Sequence, residues 1–354
     1  MLLSAARVSA RVQSLPSEFY AAYLKKFWLA HTAARRFFLR YWLRDLLQEQ
    51  VVYVRDGAAV VRAADLPAKP AGAVRLCVVS DTHTYHDALR VPPGDALVHC
   101  GDVLRADVTR GDGEAQLRRL GAWLAAQDHG RVLVTGGNHD RTLEASSPAR
   151  VAELLGPRVE YVAHGGVDVG GARLFLSPYS NPNTARSRNS AFQGKTHGDA
   201  LCANFAKFHA SKAVDVLCTH GPPAGVLDGG RGSRRVARLV DEFKPAYHVF
   251  GHQHNRPGTA VLGGTTFVNC SNTDGRFRRP ATMFERVRVG KRRRLVTSVG
   301  WFAVTKPPVV LDVVPGSAAR GGSSDWRVDV AAARLDVVAP EDDARLEPGT
   351  EERM

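Results

Sequence analysis

The chain has 354 residues, 44% hydrophobic and 23% charged, with a formal net charge of +13. That composition suits a globular protein with a sizeable core and excludes a disordered, collagenous or small disulfide-built chain. Residues 1–50 carry eight Lys/Arg against three Asp/Glu, and residues 276–294 carry nine against one; these two stretches hold the whole excess, so the remainder is not a general nucleic-acid-binding surface.

The first 15 residues, MLLSAARVSARVQSL, contain Arg and Ser and no acid. That composition is shared by organellar presequences and by plain termini. Residues 17–49 predict a helix with Ser17 as its N-cap and no Gly or Pro inside it. Tyr20, Tyr23, Leu24, Phe27 and Trp28 form one apolar stripe, and Lys25, Lys26, Arg35, Arg36, Arg40 and Arg44 a basic face. Such a helix either packs on the main domain or lies on an anionic membrane surface. Residues 1–64 thus read as an N-terminal amphipathic helical extension, and 65–73, DLPAKPAGA, as a linker. No run of about 18 apolar residues predicts a membrane-spanning helix. The five cysteines, Cys77, Cys100, Cys202, Cys218 and Cys270, form no CxxC pair and are odd in number. They read as reduced thiols of an intracellular protein, expected in the cytoplasm, with an organelle as the alternative.

From residue 74 onward, strand and helix patterns alternate. Strands are expected at 74–80, 95–100, 131–135, 159–163, 172–177, 214–219 and 246–250, and a hairpin joins 259–263 to 265–270 through Gly263-Gly264. Helices are expected at 114–127, 148–155, 199–212 and 233–243. The alternation predicts a layered α/β domain with a mixed sheet, over 74–314. Residues 315–354 are rich in Gly, Ser, Pro and acid and read as a flexible tail, with a short strand expected near 326–330.

The chemistry falls just past the strands. Asp81-Thr82-His83 follows the first, Gly101-Asp102 the second and Gly136-Gly137-Asn138-His139-Asp140 the third; Thr219-His220-Gly221 and Gly251-His252-Gln253-His254 follow two later ones. In open α/β sheets, ligands bind at the carboxyl ends of the strands, so clusters distant in sequence are expected to converge. Each cluster alone is an ordinary turn signal; five in series are not. Carboxylates, imidazoles and one amide oxygen suit manganese, iron or zinc rather than an all-thiolate site.

This order of motifs, Asp-x-His, Gly-Asp, Gly-Asn-His-Asp, a later His and Gly-His-x-His, resembles the calcineurin-like metallophosphoesterase signature over residues 74–272. The phrases SDTH, THGPP and HVFGHQH are similar to the small metallophosphoesterase-domain proteins with cyclic-nucleotide phosphodiesterase activity, and PPVVLDVV at 307–314 to their closing segment. The resemblance implies a four-layer αββα fold. It implies two divalent metal ions, one held by Asp81, His83 and His254, the other by Asn138, His220 and His252, with Asp102 bridging. It gives His139 the role of stabilising the transition state or protonating the leaving group. Asp140 is expected either to orient His139 through a ring nitrogen or to cap the following helix.

The implied reaction is hydrolysis of a phosphodiester, a cyclic nucleotide among them, by a metal-bridging hydroxide. A phosphomonoesterase of the protein-phosphatase kind is the enzymatic alternative, but the Asp-Arg-Gly run of those proteins is missing after Asp102, where VLRADVTRG stands. A nuclease would use the basic insertion 276–294, in which Gly290 is placed to turn a hairpin; the same patch suits any acidic partner or a merely solvated tip. A non-catalytic scaffold on the same fold is expected to have lost ligands, and none is missing here. The polar loop 177–197, with Asn181, Asn183 and Arg188, is the candidate substrate-facing segment.

Overall fold

The computed structural model describes residues 50–55, 57–105, 112–182, 187, 189–273, 286–289, 292–295 and 306–317. The expected helix 17–49, the presequence-like start, most of the insertion and the strand near 326–330 lie outside the described residues.

The first described elements correct the sequence reading. The helical extension expected to reach residue 64 gives way to two strands, β1 (Gln50–Val54) and β2 (Ala58–Arg62), paired antiparallel. The β-branched runs VVYV and AVV flank Asp56-Gly57, and Asp-Gly is a strong hairpin turn signal. Then follow β3 (Val74–Val79), β4 (Gly94–His99), α1 (Gly113–Ala125), β5 (His129–Val134), α2 (Arg141–Ala145), α3 (Pro148–Leu155) and β6 (Glu160–Tyr161). The second half contains β7 (Gly165–Val169), β8 (Ala172–Ser177), α4 (Lys195–Ser211), β9 (Val216–Thr219), α5 (Arg234–Phe243), β10 (Tyr247–Phe250), β11 (Gly258–Leu262) and β12 (Thr265–Asn269). Last come β13 (Arg286–Val289), β14 (Arg292–Leu295) and β15 (Val309–Val313).

One sheet runs β2-β1-β15-β3-β4-β5-β6 and a second β11-β12-β10-β9-β8-β7. β3, β4, β5 and β6 are mutually parallel, as are β8, β9, β10 and β12. Side-chain alternation along each strand builds the layers. Leu76 and Val78 of β3 meet Leu174, Val216 and Val249 of the other sheet in one buried core. Cys77 and Val79, pointing the opposite way, pack beneath Leu117 and Leu120 of α1 and Val151 of α3. On the far side Phe175, Leu217 and Phe250 pack under Phe205 of α4 and Val236 of α5. Two sheets packed face to face and flanked by helices are therefore the architecture, a mixed α/β fold.

The closing strand β15 ties the ends of this domain together, parallel to β1 and antiparallel to β3. Asp312 on β15 is buried and accepts two hydrogen bonds from the Arg75 guanidinium, at 2.8 and 2.7 Å, and one from Tyr53 on β1 at 2.9 Å. The tail expected to be loose from residue 315 begins fastened, with the Gly316 N–H donating to Asp215 at 2.8 Å. Within the basic insertion, β13 and β14 pair antiparallel with Val289 opposite Arg292. Among the described residues no helix is long and apolar enough to cross a membrane.

Candidate metal centre

The parallel strands bring their carboxyl ends to one rim, and the loops there are zipped to one another. The Asp81 N–H donates to the Gly101 carbonyl, His83 N–H to Asp102 O, and Gly251 N–H to His220 O. The turns are tight enough that Asp81, His83, Asp102 and His252 all have positive φ, between 44° and 66°. Non-glycine residues avoid that region at a cost of about 1–3 kcal/mol each, and such strain concentrates at functional sites. The neighbouring glycines allow close approach. A Cβ on Gly137 would stand 2.5 Å from Asp102 Oδ1, and one on Gly251 2.1 Å from Asp81 Oδ2.

All seven residues expected as metal ligands converge here. Donor atoms of Asp81, His83, Asp102 and His254 lie within 4.8 Å of one another, and so do those of Asp102, His220 and His252. Asp102 belongs to both groups. Its Oδ2 is 3.8 Å from His83 Nε2 and its Oδ1 is 3.3 Å from His220 Nε2. Asn138 joins the second group, with its Oδ1 3.1 Å from His220 Nε2.

Each imidazole is fixed from behind. His83 Nδ1 meets the Leu104 carbonyl at 3.0 Å, His220 Nδ1 the Cys100 carbonyl at 2.9 Å, and His252 Nε2 the Asn181 carbonyl at 2.9 Å. A carbonyl only accepts, so each of these nitrogens carries the proton and the other ring nitrogen presents a lone pair. Those lone pairs point into the cluster. His220 Nε2 faces Asn138 Oδ1 and Asp102 Oδ1, His83 Nε2 lies 3.2 Å from His254 Nε2, which itself meets Asp81 Oδ1 at 3.0 Å, and His252 Nδ1 is buried with no hydrogen-bond partner. Clustered lone pairs and carboxylates repel unless a proton or a cation sits among them. The donor set therefore fits cations at two positions, with ring-orienting carbonyls behind the ligands as metal sites require.

The electrostatics agree. Burial pushes His83 and His252 down to about 3, so both are neutral donors near pH 7. Burial also opposes protonation of His220, but the Asp102 carboxylate beside it outweighs this and raises it to about 9. In the metal-free protein a proton thus takes the cation's place between His220 and Asp102. Burial disfavours the ionised forms of Asp81 and Asp102, yet the surrounding histidines, His254 for the first and His220 for the second, hold both carboxyls well below the usual range.

His139 stands at the edge of the cluster. Its N–H donates to Asp102 Oδ1 at 2.8 Å, its Nε2 is 3.9 Å from Asp102 Oδ2, and its ring packs edge-on to His83 at 4.6 Å. Asp140 departs from both expectations. Its carboxylate accepts from the backbone N–H groups of Gly137 at 2.8 Å, Leu104 at 2.8 Å and Val103 at 3.2 Å. It occupies the N-cap position of α2 without a side-chain cap bond. Burial and Asp102 push its proton affinity up, while those backbone donors favour the carboxylate. Its work is to tie the loops after β4 and β5 together, and it does not orient the His139 ring.

Other residues emerge only in three dimensions. Asn189 Nδ2 lies 3.2 Å from His139 Nε2. The Lys306 ammonium binds the carbonyls of His254 and Thr273, and Thr273 Oγ1 meets His254 Nδ1 at 3.3 Å. Asn181 takes part through its carbonyl, its side chain being engaged by Gly232 O and the Tyr179 hydroxyl. Asn183 and Arg188 lie outside the described residues. No sequence signal separates Asn189 from the other polar residues of its loop.

The chain is similar to several known proteins. A family model described as calcineurin-like phosphoesterase matches residues 74–256. Human metallophosphoesterase domain-containing protein 1 is 28% identical over 231 residues, 57% of this chain and 67% of that protein. A UPF0046 protein of Caenorhabditis elegans is 30% identical over 220 residues, 56% of this chain and 69% of its own length. Among solved structures, a dimetal phosphatase from Danio rerio aligns with a TM-score of 0.39 at 14% identity, over 58% of this chain and 89% of that one.

Proposed function

This chain belongs to the calcineurin-like phosphoesterase family, and from that premise we propose that it is a metal-dependent phosphodiesterase with a cyclic nucleotide as its candidate substrate. One divalent cation is assigned to Asp81, His83 and His254, and a second to Asn138, His220 and His252. The observation that carries the reading is the Asp102 carboxylate, which turns one oxygen toward each group, at 3.8 Å from His83 and 3.3 Å from His220. When bound, such a pair supplies a nucleophile from water near neutral pH and neutralises charge on a phosphate oxygen.

The protein's own part is positioning and proton handling. Two carboxylates against two dications leave the loaded site positive, so it attracts a phosphate anion. The carbonyls of Leu104, Cys100 and Asn181 keep His83, His220 and His252 in one tautomer and orientation. His139, with 14% of its side chain exposed, stands beside the cluster with its Nε2 3.9 Å from Asp102 Oδ2. Its Nε2 is assigned to hold a proton for the departing ester oxygen. The diester preference rests on the SDTH, THGPP and HVFGHQH phrases, the intact His252 and the missing Asp-Arg-Gly run.

The test loads the full chain with Mn²⁺ and compares bis(p-nitrophenyl) phosphate with p-nitrophenyl phosphate. Metal-dependent turnover that favours the diester and falls in His139→Ala is expected. Preference for the monoester would replace the diesterase reading with a phosphomonoesterase, and no turnover by a folded, metal-loaded protein would end the hydrolase reading.

A further inference from the structure

We propose that Asn189 is a second catalytic donor, whose side-chain amide grips the same phosphate group as His139. The inference builds on the phosphoester reading for its substrate, but the geometry stands apart from it. Asn189 Nδ2 and His139 Nε2 are 3.2 Å apart, so one oxygen can lie within hydrogen-bond reach of both; the amide donates to the bare Nε2 in the free protein and is released toward that oxygen once Nε2 carries its proton. Both residues are only partly buried.

The segment carrying Asn189 is fixed before any substrate arrives. The Asn138 side-chain amide donates to the Asn189 carbonyl at 3.3 Å, and the Ala191 N–H donates back to the Asn138 carbonyl at 3.2 Å. The Phe192 N–H donates to Glu144 Oε1 at 2.7 Å, and the same oxygen meets His197 Nε2 at 3.1 Å. The Phe192 ring is buried against Gly136, where even a Cβ would come within 2.5 Å of it. A donor whose backbone is held this way needs little reorganisation as charge develops on the ester, which is the condition under which one hydrogen bond contributes most to rate.

Asn189 therefore touches the site through two separate groups. Its carbonyl orients Asn138, turning Asn138 Oδ1 toward His220, and its amide faces His139. Side-chain replacement removes the second function and leaves the first. An amide N–H can donate to phosphate, whereas a carboxylate of the same shape cannot and repels it. A residue that merely oriented the imidazole would tolerate Asp, because a carboxylate is a good partner for a histidine N–H.

The experiment uses the full chain loaded with Mn²⁺ as wild type, Asn189→Ala, Asn189→Asp, His139→Ala and the Asn189→Ala/His139→Ala double variant. Metal content, binding of inorganic phosphate by calorimetry, and kcat and KM on bis(p-nitrophenyl) phosphate are measured. Two metals per chain are expected in every variant. Asn189→Ala should lose about 100-fold in kcat, the usual cost of one such donor, and Asn189→Asp should lose more. Phosphate binding should weaken in the same order. The double variant should lose less than the product of the single losses, as residues acting on one group do. Wild-type binding of phosphate that depends on Asn189, without turnover of any ester, would sustain the donor and sink the hydrolase reading instead. Wild-type-like phosphate affinity or turnover in Asn189→Asp, loss of metal in Asn189→Ala, or a loaded wild type that binds no phosphate would each overturn the proposal.

Discussion

His220 Nε2 stands 3.3 Å from Asp102 Oδ1, while its other ring nitrogen is committed to the Cys100 carbonyl at 2.9 Å. The lone pair on Nε2 is thereby locked toward a carboxylate with Asn138 Oδ1 also beside it. In the apo protein a proton bridges them; in the loaded protein a cation is expected to replace it, so loading should release protons at neutral pH.

Asp102 is the residue both halves share, and Asp102→Asn should affect both. Outer partners of metal ligands commonly contribute 10–100-fold to affinity or activity. Losing the shared carboxylate is expected to cost more than about 100-fold in turnover and to lower metal content below two per chain. Elemental analysis with turnover on the diester checks this, and retention of both metals would remove Asp102 from its bridging role. Chelation of the wild type should lower its melting temperature, since ligands bound only by the native state stabilise it.

Two glycines should prove as sensitive as the ligands. A methyl group at Gly137 would press on the Asp102 amide N and Oδ1, both at 2.5 Å, and one at Gly251 on the Asp81 carboxylate at 2.1 Å. Backbone must shift to accommodate either. Gly137→Ala and Gly251→Ala are each expected to reduce metal content and to lower stability by about 1–3 kcal/mol, the range for overpacking. Urea unfolding beside metal analysis would reveal it; unchanged metal content would mean that these loops yield more readily than their packing implies.

Acid should weaken the fold through histidines that hold no metal. Burial holds His86 and His164 down to about 4 and His248 down to about 3, from the usual 6.5. The unfolded chain takes up these protons near pH 6.5 and the folded chain does not. Stability from these groups is therefore complete above about pH 6.5 and declines as pH falls toward 4. His86 is 1% exposed and neither ring nitrogen has a hydrogen-bond partner. At about 1.4 kcal/mol per tenfold change in proton affinity its protonation opposes folding by on the order of 3 kcal/mol. Urea midpoints of the metal-free protein should drop between about pH 7 and 5, and His86→Leu should flatten the slope. A midpoint independent of pH across that interval would contradict the buried placement of these rings.

The sequence alone determined the seven clustered residues, which the family resemblance implies as ligands, and their place after strands. Residue type limits what a metal can bind, and apolar runs of β-branched residues ending in Gly and polar residues report the carboxyl ends of buried parallel strands. The same patterns were enough for the alternation of strand and helix, while the two-sheet architecture came from the family resemblance. They failed at the edges. Residues 50–62 follow directly on the pattern that predicts a helix over 17–49 and so read as its continuation, although Asp56-Gly57 is a turn signal. β7, whose sequence is GGVDV, has too little apolar content to read as a strand until it pairs with β8.

Only tertiary structure decided what each functional atom faces. Asp140 carries the residue type expected of a histidine-orienting group, yet the backbone N–H groups of Gly137, Val103 and Leu104 claim its carboxylate. Asn189 and His139 are 50 positions apart and meet because Glu144 and Asn138 hold the loop between them. Lys306 reaches the His254 carbonyl across 52 positions because β15 lies between β1 and β3. Hydrogen bonds at such separations depend on where loops are carried by packed strands, and local residue patterns contain no record of that.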